Sequence, residues 1–194
     1  NRKRHSPESV KLAKTIADES TVLLKNENQL LPLDAKSLKS IAIIGPNADQ
    51  VQFGDYTWSR NNKDGVTPLQ GIKNRVNKNT AIHYAKGCSL TSLDTSGIAE
   101  AVEAAKNSEV AVIFGGSASA ALARDYKSST CGEGFDLNDL NLTGAQSQLI
   151  REVYRTGTPV ILVLVTGKPF VIEWEKNNLP AILVQWLSLI HISE

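Results

Sequence analysis

The sequence predicts an α/β protein: a mostly parallel, doubly wound sheet with helices on both faces, an α/β sandwich truncated in these 194 residues. Three observations carry this. Five short apolar runs are continuous rather than alternating, the habit of strands buried on both faces of a parallel sheet. Helical patterns fill the intervals between them. Glycine and small polar residues collect at the carboxyl ends of the runs, where an open parallel sheet binds its ligands.

The elements follow in order. Ser6 and Pro7 start a helix whose stripe is Val10, Ala13, Ala17 and then Val22, and "NENQLLPLD" ends it in a turn. This segment is expected to pack on the sheet or to bridge to something upstream. "SIAIIGP" (40 to 46) is the first strand. Thr67 caps a helix over 67 to 76, with Pro68 at its first position. "AIHYAKG" (81 to 87) is the second strand, and "GIAEAVEAAKNS" (97 to 108) is a helix with Ile98, Val102 and Ala105 on one face. "VAVIFGG" (110 to 116) is the third strand. After a long loop, Thr143 is placed to cap a helix over 143 to 157, with a stripe of Leu149, Ile150 and Val153 and with Gly157 at its carboxyl end. "PVILVLVTG" (159 to 167), a further helix and "AILVQW" (181 to 186) complete the pattern.

Composition narrows the function classes. A formal net charge of +1 gives no global basic field to draw nucleic acid or an anionic membrane. The longest apolar run falls far short of the ~20 residues of a membrane-spanning helix. Cys88 and Cys131 fit no zinc pattern, and a single bridge or two free thiols both remain open. His5, His83 and His191 lack the paired spacing of a metal site. No metal or other cofactor is expected.

Two stretches at the ligand-binding edge, 47 to 66 and 117 to 141, run for about 20 residues or more with little periodicity, a length typical of functional or disordered loops. In the first, Tyr56 and Trp58 stand among Asp55, Arg60, Asn61, Asn62 and Asp64. Aromatic faces with amides and carboxylates suit a sugar, although the same rings can anchor the loop to its own domain. The second holds "STCGEGFDLNDL". A glutamate serving as general acid must stay protonated at working pH and must reach its substrate, and glycines on both sides of Glu133 allow such projection. The alternative is a solvated loop, with Asp136 as a cap or brace. "IGPNAD" lacks the G-x-G-x-x-G dinucleotide pattern, and "GGSASA" lacks the lysine of a P-loop, so nucleotide binding is the weak rival.

Taken together, "ADESTVLLKNENQLLPLD", "IAIIGPNAD", "FGDYTW" with "DGVTPLQGI", "YAKGC", "CGEGFDLNDLNLTGAQSQLI" and "TGTPVILVLVTGKPF" resemble, in this order, the second domain of glycoside hydrolase family 3, over residues 10 to 186. The resemblance implies a retaining, exo-acting β-glycosidase, commonly a β-glucosidase or β-xylosidase. In that family a (β/α) barrel precedes the α/β sandwich and supplies the nucleophilic aspartate, while the sandwich supplies the acid/base glutamate. Glu133 matches that glutamate. Tyr56 matches an aromatic beside the bound sugar ring, with Trp58 close by. Leu137 follows Asp136 where the family usually has arginine, and Arg124 is the candidate cationic substitute. The expected site is therefore Glu133 as the catalytic residue, with Tyr56, Trp58, Arg124 and Asp136 around the substrate.

The expected organisation is an N-terminal helix and linker from a missing barrel over 1–39, an incomplete sandwich over 40–186, and a non-native tail over 187–194, where "LSLIHISE" departs from the family pattern. The partners implied are a β-linked oligosaccharide or glycoside and the missing barrel of the same chain, with no nucleic acid and no membrane. A periplasmic or secreted location is what the resemblance suggests. The rival reading is a non-catalytic carbohydrate-binding or structural module.

Overall fold

Ser6 opens the first helix in the computed structural model of the protein, which describes residues 6–54, 65–119, 129–132 and 134–187. Helix α1 spans Pro7–Ser20, and the Ser6 hydroxyl accepts from the Ser9 N–H at 3.2 Å. It stops sooner than the stripe through Val22 predicts. The hydroxyls of Ser20 and Thr21 both donate to the Ala17 carbonyl at 3.1 Å, the local competition with helical bonding that Ser and Thr offer. Val22–Asn26 is instead strand β1. No residue of α1 is buried, so the helix is not packed into the core of the sheet.

All five expected strands form: β2 (Ser40–Ile44), β3 (Ala81–Ala85), β4 (Val110–Gly116), β5 (Val160–Thr166) and β6 (Ala181–Trp186). The sheet order is β1-β6-β5-β4-β2-β3. β2 through β6 are mutually parallel, and β1 alone runs antiparallel, pairing Val22 with Val184 and Asn26 with Ala181. Every residue of β4 and β5 is buried, which is why their sequences are continuous apolar runs but for the closing Thr166 of β5.

Successive side chains point to opposite faces, so each face has its own core. On one, Ala42, Ile44, Ile113, Leu162 and Leu164 meet α3 (Ile98–Lys106) and α4 (Gln146–Tyr154) through Ala101, Ala105, Leu149, Ile150 and Val153. On the other, Ile41, Ile43, Val112, Phe114 and Val163 meet Leu69 of α2 (Pro68–Arg75) and the leucines of 30–38. A last helix, α5 (Glu173–Asn178), lies between β5 and β6 in sequence.

The capping expectations divide. Thr67 caps α2 as read, its hydroxyl accepting from the Gln70 N–H at 3.2 Å with Pro68 first in the helix. Thr143 does not cap α4. Its hydroxyl donates to the Leu90 carbonyl at 2.6 Å, and the helix begins after Ala145. In α3 the buried face is Ile98, Ala101, Ala104 and Ala105, with Val102 only partly covered.

Candidate active site at the carboxyl edge of the sheet

The parallel strands lie in the order β3-β2-β4-β5-β6, so the chain reverses its direction of winding between β2 and β4. The crevice at such a reversal is where doubly wound sheets hold ligands. Two buried amide side chains splice the strand ends there. Asn47, just past β2, donates from Nδ2 to the carbonyls of Gly115 and Ser117, each at 3.2 Å, and its Oδ1 accepts from Gln52 Nε2 at 2.8 Å. Gln146, first in α4, accepts the Gly116 N–H at 2.8 Å and donates to the Gly116 carbonyl at 3.1 Å. Gly116 itself has φ 112°, and a Cβ there would stand 2.2 Å from the Val165 carbonyl oxygen, so only glycine fits. Neither amide stands out in the sequence: Gln146 opens a helix that also carries Ser147, Gln148, Arg151 and Glu152, and its partner Gly116 is 30 positions away.

From this frame the chain runs into the loop that carries Glu133. Glu133, Tyr56, Trp58 and Arg124 lie outside the described residues. The described residues around position 133 are firmly attached. Thr130 N–H donates to the Ala118 carbonyl at 3.0 Å while Thr130 Oγ1 accepts from the Ala118 N–H at 3.0 Å. Cys131 N–H donates to the same carbonyl at 3.3 Å. Thr130 is completely buried, so these bonds are made away from water. Past position 133, Gly134 has φ 70° and Phe135 N–H donates to the Gly132 carbonyl at 3.2 Å. A φ of 70° is one that glycine adopts without strain.

Asp136 is the one expected site residue that the structure describes, and it is exposed. Its Oδ1 accepts from Lys168 Nζ at 2.9 Å and from the Leu137 N–H at 2.8 Å. These bonds, the lysine's first, hold its carboxyl below the usual aspartate value. Cys88 and Cys131 are not joined in a disulfide, and both are buried. Burial pushes the Cys88 thiol up to about 11, which keeps it neutral near pH 7.

Beside the strand ends lies a cavity of about 340 Å³, bounded by Phe53, Pro68, Ile72, Phe114, Val165 and Trp186 among others. Gln52 and Gln185 place amides on a mostly apolar wall. Phe53 and Val66, close to either end of 55–64, both belong to the lining. Among the described residues no cluster of three or more His, Cys, Asp or Glu side chains suits a metal ion, and no helix is long and apolar enough to cross a membrane.

Sequence and fold comparisons agree on one family. The profile described as the glycosyl hydrolase family 3 C-terminal domain matches residues 21–189. A β-xylosidase of Formosa agariphila is 40% identical over 177 residues, covering 88% of this chain and 23% of the relative. A periplasmic β-glucosidase of Salmonella typhimurium is 35% identical over 202 residues, covering 92% of this chain and 25% of the relative. The solved structure of a β-glucosidase from Erythrobacter marinus superposes with a TM-score of 0.80 at 30% identity, covering 96% of this chain and 27% of that one. The chain spans about a quarter of the length of these relatives. It belongs to glycosyl hydrolase family 3, and the part of that family it carries is the C-terminal domain.

Proposed function

We propose that this chain is the acid/base-bearing domain of a retaining, exo-acting β-glycosidase that hydrolyses β-glucosides or β-xylosides, with Glu133 as the acid/base. The observation that supports the reading is that Thr130 and Cys131, shortly before Glu133 in sequence, are bonded to Ala118 in the strand extension past β4, next to the reversal point of the sheet. Relatives named β-xylosidase and β-glucosidase support the substrate class.

In the proposed reaction Glu133 gives its proton to the departing glycosidic oxygen while an aspartate of the barrel attacks the anomeric carbon. Glu133 then takes a proton from the water that releases the sugar. Such a pair of carboxyl groups works about 5–5.5 Å apart, so the domain supplies one member and needs the barrel for the other. Tyr56 or Trp58 lies against one side of the sugar ring, and Arg124 and Asp136 stand near it. The partners are a β-linked glycoside and the barrel of the same polypeptide.

In the full-length chain that carries this segment, Glu133→Ala is expected to slow hydrolysis of a natural disaccharide by about 10²–10⁴-fold. Activated aryl glycosides, which leave without a proton, lose far less. Unchanged turnover of the disaccharide would sink the assignment. The 194 residues alone should not hydrolyse an aryl glucoside or xyloside, because the nucleophile is elsewhere; sugar binding without any such role for Glu133 would instead favour the non-catalytic module.

A further inference from the structure

Lys168 follows β5, where its backbone is clamped by one hydroxyl. Thr166 Oγ1 donates to the Lys168 carbonyl at 2.6 Å and accepts the Lys168 N–H at 3.0 Å. Thr166 is itself buried, 3.4 Å from the Ser117 hydroxyl at the end of β4, and its carbonyl accepts from the Leu187 N–H at 3.0 Å after β6. Three strand ends thus fix the base of the lysine. Its side chain is only 10% exposed, so the stem runs along protein and the ammonium emerges at a defined point. There it meets Asp136, whose side chain is 83% exposed. The lysine is the anchored member of the pair and the aspartate the tethered one.

The two sides of the loop are therefore secured by different means. Residues 130 and 131 are sewn to Ala118 by backbone bonds, while Asp136 is joined to the sheet through a side chain 32 positions away in sequence. We propose that Lys168 is a positioning residue for proton transfer: through Asp136 it fixes the carboxyl-side stem of the loop that carries Glu133. This rests on the assignment of Glu133 as the acid/base. An ion pair with one member so exposed adds little to global stability. Its loss is therefore read in where the loop sits, and a proton donor displaced by about 1 Å loses up to ~10²-fold.

The test uses the full-length chain and two substrates, a natural disaccharide and an activated aryl glycoside. Lys168→Met keeps the stem and removes the ammonium. It is expected to lower kcat on the disaccharide on the order of tenfold, well inside that ceiling, while the aryl glycoside changes less than about twofold and the melting temperature holds. Lys168→Arg restores most of the loss, because a single donor to one carboxylate oxygen suffices. On the disaccharide, Lys168→Met combined with Asp136→Asn is no worse than Asp136→Asn alone, because both changes break the same ion pair. Equal losses on both substrates, additive losses in the double variant, or no rescue by arginine would overturn the proposal. Run in parallel, Glu133→Ala separates the two ideas. If it is sensitive to the leaving group and Lys168→Met is not, only the positioning role fails; if Glu133→Ala is itself insensitive, the acid/base assignment fails and the positioning role with it.

Discussion

Gln146 holds Gly116 from both sides, its Oε1 accepting the glycine's N–H at 2.8 Å and its Nε2 donating to the glycine's carbonyl at 3.1 Å. A side-chain amide thereby takes the place of a ladder partner where β4 leaves the sheet. Nε2 also donates to the Leu90 carbonyl at 3.1 Å, which ties the segment after β3 to the same point.

Gln146→Leu preserves the volume and strands those backbone groups. An unsatisfied buried polar group costs about 1–3 kcal/mol. The midpoint of urea unfolding should fall by the corresponding amount with an unchanged slope. A midpoint within error of the parent protein would show that water replaces the amide at no cost.

Asp136 sets a pH test. Its folded value is lowered, chiefly by Lys168, so the ion pair is intact above the ordinary aspartate value of 3.8 and is lost as pH falls through a lower folded value. Carboxyl chemical shifts should place the Asp136 midpoint below 3.8 in the parent chain and bring it back toward 3.8 in Lys168→Met. A midpoint that does not move would mean that the Leu137 N–H alone sets it.

Cys88 gives the opposite sign. Its folded value is raised by burial from 9.0 to about 11, so the stability tied to the neutral thiol is complete below pH 9 and is lost as pH rises toward 11. Unfolding curves across that window should flatten in Cys88→Ala relative to the parent chain. The thiol should also resist alkylation at pH 8 until the protein unfolds, and prompt labelling there would contradict its burial.

The strands were legible because burial on both faces leaves a local mark: Val160–Thr166 is apolar along its whole length up to its last residue. β1 was not legible. Val22 and Leu23 continue a helical stripe as well as they start a strand, and what makes them a strand is the open edge of β6, which no local pattern announces. Thr143 was read as a cap from its position, but the Leu90 carbonyl, distant in sequence, takes its hydroxyl. The site divides along the same line. The glycines around position 133 showed a loop able to project a side chain, whereas Asn47, Gln146 and Lys168 act on groups many residues away and carry no local signature.

The antiparallel edge strand also orders events in time. Among the described strands β1 is the first to be synthesised and β6 the last, yet they are neighbours. Residues 22–26 therefore wait for β6 while the ribosome makes nearly everything else described, and this pairing is the most distant in sequence among the described strands. Until β6 emerges, the apolar "VLL" of β1 is an exposed edge open to other chains.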